Sequence, residues 1–169
     1  MLRLIEKFMP FRGRAFVNDS KEYLYKAKLT NPLSIGYRTI ELLDSQQKIV
    51  GIVVESEMSN NFYRHFYVGE RQVASMEGRT YRAVEYAPDF GNNKELKLLN
   101  IPWRLAGSVR YLQYWVIDEH DEIIFSYEHR WVRGSILSIF KEEHTILSIL
   151  IALAVSEQCV KLRSSGDGA

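Results

Sequence analysis

One cysteine in 169 residues leaves no intramolecular disulfide and no cysteine-based zinc site. That residue, Cys159, closes an apolar run, the setting of a buried and inert thiol rather than a reactive one. Prolines number four and the ten glycines are scattered, so no Pro/Gly/Ser linker divides the chain and no glycine-rich loop cradles a phosphate. Excess charge is missing as well. Lys and Arg number 22 against 21 Asp and Glu, a net +1 that supplies no bulk attraction to nucleic acid or to an anionic membrane. There is no H-E-x-x-H and no G-x-S-x-G, and no acidic loop of calcium-binding length ending in Glu. The expectation is a chain with no catalytic residue, no metal and no cofactor that the sequence can point to.

What the chain has is aromatic residues, ten Tyr, eight Phe and three Trp, which fit the flat pleated surface of a strand. An apolar fraction of 46% in a chain of this length suffices for one core without staples. Residues 1–163 are read as one domain and 164–169, Ser-Ser-Gly-Asp-Gly-Ala, as a frayed tail. Met1 to Pro10 interrupts every apolar stretch with charge and so lacks a signal-peptide core, and the lone cysteine agrees with a reducing, cytoplasmic location. Asn18-Asp19-Ser20 matches a glycosylation pattern, but this needs a secretory context.

Through the middle of the chain, apolar or alternating runs flank short polar turns. Phe16-Val17 meets Asn18-Asp19-Ser20 and then Tyr23–Leu29. Thr39–Leu43 meets Asp44–Gln47 and then Lys48–Val54. Tyr111–Ile117 meets Asp118–Asp121 and then Glu122–Tyr127. A looser fourth unit runs Phe66–Gly69, Glu70–Gln72, Val73–Met76. Each is a β-hairpin signal. Whether the units are related copies or merely similar hairpins, both readings give an antiparallel meander. Tyr81–Tyr86 and Lys97–Ile101 read as further strands around a loop at 87–93, and Ser135–Phe140 as a last strand or a lead-in.

The pattern then changes. Glu142-Glu143-His144 opens a run that is apolar on every side through Val155, with Lys161 and Arg163 beyond it, as the dipole of a helix over about 142–160 favours. The uncharged stretch, Thr145 to Ser156, falls short of the roughly 20 residues that span a bilayer. A helix that is apolar all round must be buried all round. In a chain otherwise made of strands, a closed antiparallel β-barrel around the helix meets that need and removes the sheet edges.

The hairpins of form apolar–Asp–polar–apolar, followed by the terminal run Glu142–Ala154, resemble the tubby C-terminal-like superfamily, whose members include phospholipid scramblases and the LURP-one-related proteins. The resemblance covers roughly Phe16 to Cys159 and is strongest to bacterial members in length. It implies a mainly β fold, a barrel of roughly twelve strands wrapped around a hydrophobic helix. It also implies lipid-related or scaffolding roles, although a Lys/Arg head-group motif of the tubby type has no match here.

Among the four histidines, His65 reads as a satisfied sheet residue, His120 as a solvated turn residue and His144 as part of a helix terminus. His129, set among Tyr127, Glu128, Arg130 and Trp131, is the best candidate for a functional role. Arg12 and Arg14, Arg79 and Arg82, and Arg130 with Arg133 could compose an anion or lipid-head-group patch, or simply alternate outward on half-exposed strands. The candidate ligand-binding set is therefore Arg79, Arg82, Arg130, Arg133 and His129. The expected function is a non-enzymatic binding or scaffolding domain. Its partner would be a lipid head group, a membrane surface to which it is peripheral, or a protein, with no transmembrane span and no nucleic acid. The alternatives are a barrel enclosing a small apolar ligand and an enzyme whose site the sequence does not reveal.

Overall fold

The computed structural model describes residues 1–9, 13–30, 37–58, 61–79, 96–109, 111–130 and 134–166. Twelve strands follow one another: β1 Leu2–Met9, β2 Gly13–Val17, β3 Tyr23–Thr30, β4 Tyr37–Asp44, β5 Ile49–Met58, β6 Asn61–Val68, β7 Arg71–Arg79, β8 Leu96–Leu99, β9 Arg104–Ser108, β10 Gln113–Ile117, β11 Ile123–Glu128 and β12 Ser135–Ile139. A 3-10 turn, Glu142–His144, leads into the helix α1, Thr145–Gly166.

The strands form one antiparallel sheet in the order β8-β7-β6-β5-β4-β3-β2-β1-β12-β11-β10-β9. Every ladder but one joins strands consecutive in sequence; the exception pairs β1 with β12 from Leu2↔Ile139 to Glu6↔Ser135. The sheet curls until its edge strands β8 and β9 approach each other, giving a nearly closed barrel. The expected mainly β barrel around a hydrophobic C-terminal helix is the fold observed.

The polar turns form as their side chains dictate. Asp44 Oδ1 accepts the N–H groups of Gln46 at 2.9 Å and Lys48 at 3.0 Å. Asp118 Oδ1 likewise accepts those of His120 and Glu122, both at 2.9 Å, and Asn18 Oδ1 accepts that of Glu22 at 2.9 Å. Such Asx turns replace the ladder bonds that the chain loses on reversing. These turns, with Gly69-Glu70 and the 3-10 turn, define the lower end of the barrel.

The helix enters from that end and fills the lumen. Leu147, Ile149, Leu150, Ile151, Leu153 and Val155 are all buried, against inward residues such as Leu4, Phe16, Leu42, Val53, Phe66, Phe125 and Leu137. The fit leaves little slack at Gly51 of β5, where a Cβ would lie 2.9 Å from both Ile146 Cγ2 and Leu150 Cδ1. Only glycine lets the wall approach α1 this closely.

Several expectations shift. β1 and β9 are strands that the sequence pattern does not announce. Arg71 and Gln72 belong to β7 rather than to a turn, Tyr111 and Leu112 lie in a turn before β10, and β8 ends at Leu99. The helix runs on past residue 160 and takes in Ser164–Gly166, which the sequence assigned to a frayed tail. The strand expected at Tyr81–Tyr86 and the loop at 87–93 lie outside the described residues.

Candidate functional site: a charged plug at the upper end of the barrel

The strands alternate inward and outward residues, and near the lower end and the middle every inward residue is apolar or glycine. At the upper end the same inward parity brings in charge. Glu6 continues the face of Leu4 on β1, Arg14 that of Phe16 on β2, Glu55 that of Val53 on β5, and Arg64 that of Phe66 on β6; all four are buried. They surround the turn of α1 that contains Ala154, Ser156 and Glu157.

Two clusters result. In the first, Arg64 Nε donates to Glu55 Oε2 at 2.8 Å, and its Nη1 donates to the backbone carbonyl of Ala154 in α1. In the second, Arg14 Nη1 donates to Glu6 Oε1 at 2.8 Å while Nη2 donates to Glu157 Oε1 on α1 at 2.7 Å. Tyr127 Oη donates to the other oxygen of Glu6. Burial works against the charge of Arg14, but Glu6 and Glu157 outweigh it and hold the guanidinium above its usual pKa. Burial, then the Glu6 carboxylate, pushes the Tyr127 phenol well above the usual tyrosine range, and the hydroxyls of Ser135 and Ser156 temper the shift. Arg14 also lies over the ring of Phe8, 5.2 Å from its centroid, and Phe8 is 65% exposed at the upper rim.

The second cluster reaches further. Ser135 pairs with Glu6 across β1 and β12, and its Oγ lies 2.8 Å from His129 Nδ1. Gly134, at φ 80°, makes this junction possible: a Cβ there would come within 2.6 Å of the Glu6 carbonyl oxygen. The Ser–His pair has the composition of a nucleophile and its base, and Ser135 is wholly buried in the wall. The cleft nearest the plug, lined by Leu29, Ile40, Val53, Glu55, Arg64 and Glu157, offers about 10 Å³, room for roughly one water.

The expected binding set fares unevenly. His129 is half-buried and tied to Ser135, and its backbone N–H donates to Leu112 O at 2.9 Å. Arg130 is exposed and forks onto Glu128, Nε to Oε1 at 2.9 Å and Nη2 to Oε2 at 3.1 Å. That bond raises the Arg130 pKa and lowers that of Glu128. Arg79 ends β7 opposite Asn61, with its side chain outside the described ones, as is that of Cys159. Arg12, Arg82 and Arg133 lie outside the described residues. Arg14, read as part of an outward basic patch, instead points into the barrel because it shares the face of Phe16.

The remaining histidines sit apart. His65 Nδ1 lies 2.9 Å from Ser75 Oγ on the outer wall, His120 is exposed in its turn, and His144 packs edge-on against Trp103 at 4.9 Å. No three metal-ligating side chains converge among the described residues, and no helix there is long and apolar enough to cross a membrane.

Sequence reasoning missed Glu6, Arg14, Glu55, Arg64 and Glu157 as a group. The signal was available in parity: each strand charge sits two residues from a core residue, and basic and acidic members fall on adjacent strands.

Neither a protein-family model nor a curated protein matches the sequence. Among solved structures, the chain is similar to a protein from Arabidopsis thaliana known by X-ray, with a TM-score of 0.56, 13% identity, and coverage of 90% of this chain and 88% of that one. A likeness at that identity is a likeness of fold.

Proposed function

We propose that this chain is a non-enzymatic binding domain of the tubby C-terminal-like kind, cytoplasmic and peripheral to membranes, that engages an anionic lipid surface with its upper rim. The filled lumen carries this reading. With α1 occupying the barrel and the inward charges of the plug paired to one another, recognition falls to the outside. The upper rim supports the membrane assignment: exposed Phe8 is an apolar side chain suited to the head-group boundary, and Arg130 follows β11 at the same end. Its ion pair with Glu128 is solvent-exposed, so exchanging that partner for a phosphate costs little.

Flotation with neutral phosphatidylcholine vesicles and with vesicles containing phosphatidylserine or phosphoinositide tests the proposal. Binding to the anionic vesicles alone is expected, weakened by Phe8→Ser and by combined replacement of Arg79, Arg82, Arg130 and Arg133 with Ser. Absence of binding to every anionic vesicle removes the lipid reading and leaves a protein partner for the same rim.

A further inference from the structure

Among the described residues, three of the exposed large apolar side chains stand side by side on the outer wall toward the lower end. They are Trp115 of β10, Ile123 at the start of β11 and Phe140 just past β12, which are 40%, 42% and 45% exposed. Val116 packs in the lumen, so Trp115 and Ile117 on either side of it point outward. Ile117 lies directly opposite Ile123 and links it to Trp115. The N–H of Phe140 donates to the carbonyl of Ile124 at 2.8 Å, which sets Phe140 beside the same end of β11. The indole is also held in place. Gly107 of β9, at φ 89°, has no side chain, and a Cβ there would meet Trp115 Cζ3 at 3.0 Å. The ring thus lies against bare backbone, and a partner has little side-chain freedom left to remove from it.

The surroundings of this apolar patch select its occupant. The turn between Ile117 and Ile123 carries Asp118, Glu119, Asp121 and Glu122, and Glu142 and Glu143 follow Phe140. Three cations answer these six carboxylates: Lys141 pairs with Glu122, Arg104 with Asp121, and the amino group of Met1 with Glu142. The patch is therefore bordered by surplus negative charge in a chain whose net charge is +1. An anionic membrane or a nucleic acid is repelled by such a border, whereas lysine and arginine are drawn to it. Apolar anchors at the centre with charge around them is the layout of a surface that binds protein.

We infer that this β10–β12 face docks a basic segment of a partner protein, one in which Lys or Arg flanks aliphatic or aromatic residues. Trp115, Ile123 and Phe140 receive the apolar side chains, and Glu119, Glu142 and Glu143 receive the cations. The face lies toward the opposite end of the barrel from Phe8 and the rim assigned to lipid. The inference therefore does not rest on that assignment, and failure of all vesicle binding leaves it standing.

Panning the full chain against a phage-displayed library of random dodecapeptides tests it. Enriched peptides should combine Lys or Arg with Leu, Phe or Trp. Their affinity, read by fluorescence polarisation of the labelled synthetic peptide, should fall by about tenfold in Phe140→Ser and in Trp115→Ser. A similar fall is expected when Glu119, Glu142 and Glu143 are together replaced by Gln. Ile49→Ser, which alters a comparably exposed residue on β5 at the same end, should change nothing. Circular dichroism melts check that each variant folds; if Trp115→Ser does not, Phe140→Ser and the glutamine variant decide. No enrichment, or enrichment of acidic or uncharged peptides, overturns the inference. So do basic peptides that bind Phe140→Ser and the glutamine variant as they bind wild type, or that lose as much affinity with Ile49→Ser. Anionic-vesicle binding that Phe140→Ser weakens and Phe8→Ser does not places the membrane on this face and overturns it as well.

Discussion

Glu55 and Arg64 face each other directly across the β5–β6 ladder, joined by a 2.8 Å hydrogen bond at the upper end of the lumen. Arg64 is 1% exposed and is the bulkiest fully buried side chain among the described residues. The pair is therefore a commitment of the wall to the helix, since the same guanidinium also holds the carbonyl of Ala154.

Removing one partner should cost far more than removing both. Arg64→Met takes the guanidinium away from a buried carboxylate and should destabilise the fold by about 3–5 kcal/mol in urea denaturation. Arg64→Met with Glu55→Leu should recover most of that loss. A double variant no more stable than the single one would show that the arginine acts through α1 and not through Glu55.

Gly51→Ala pushes a methyl group into Ile146 and Leu150, each 2.9 Å from the new Cβ, and should cost about 1–3 kcal/mol. Shortening the opposing side chain with Ile146→Val should return part of it. At the centre of the same interface Leu150 is fully buried, and Leu150→Asp should abolish the cooperative melt followed by circular dichroism. A wild-type melt for that variant would mean the helix does not occupy the lumen.

Asp118 carries a pH signature. Burial works against its charge, but the backbone N–H groups of Glu122 and His120, then Lys141, hold its carboxyl below the usual range. A depressed folded-state pKa means that its contribution is complete above the unfolded value, about 4, and fades as pH falls through the folded one. Wild type should thus exceed Asp118→Ala in stability at pH 7, with the gap narrowing under acid. A gap that stays constant down to pH 2 contradicts the assignment.

Tyr127 acts at the other end of the scale. Its phenol is held above the usual range by burial and by Glu6, so the folded chain keeps a proton that the unfolded chain releases. Its stabilisation is whole below about pH 10 and is lost as pH rises beyond that. Urea midpoints between pH 9 and 11 should fall more steeply for wild type than for Tyr127→Phe. At pH 7 that variant should lose about 1–3 kcal/mol, the cost of a missing donor to a buried carboxylate. Parallel alkaline profiles would remove Tyr127 from the plug.

The barrel was legible because its turns announce themselves chemically. Asp44 and Asp118 sit where a carboxylate can collect two backbone N–H groups, and the residues on either side alternate cleanly. The helix was legible because nothing but a surrounding wall accommodates Ile146–Val155. β1 was not, since Arg3, Glu6 and Lys7 break its alternation when every charge is assumed to face water. β9 was not, since the glycine inside Arg104–Ser108 interrupts the alternation of a strand. The plug was hidden for the reason that hid β1. Isolated charges in strands usually mark the solvent face, and only their tertiary partners make an inward course affordable. The bonds of Glu6 to Tyr127 and of Arg14 to Glu157 span separations in sequence that no local pattern encodes.

The β1–β12 ladder bears on how the molecule is made. Strands β1 to β8 can zip together as they leave the ribosome, each beside its predecessor, but they cannot become a tube until β12 arrives beside β1. The segment destined for the interior is translated after β12. For most of its synthesis the nascent sheet therefore presents a greasy concave surface with nothing to cover it, the condition under which chains aggregate or recruit a chaperone. Release of α1 is the event that ends this exposure.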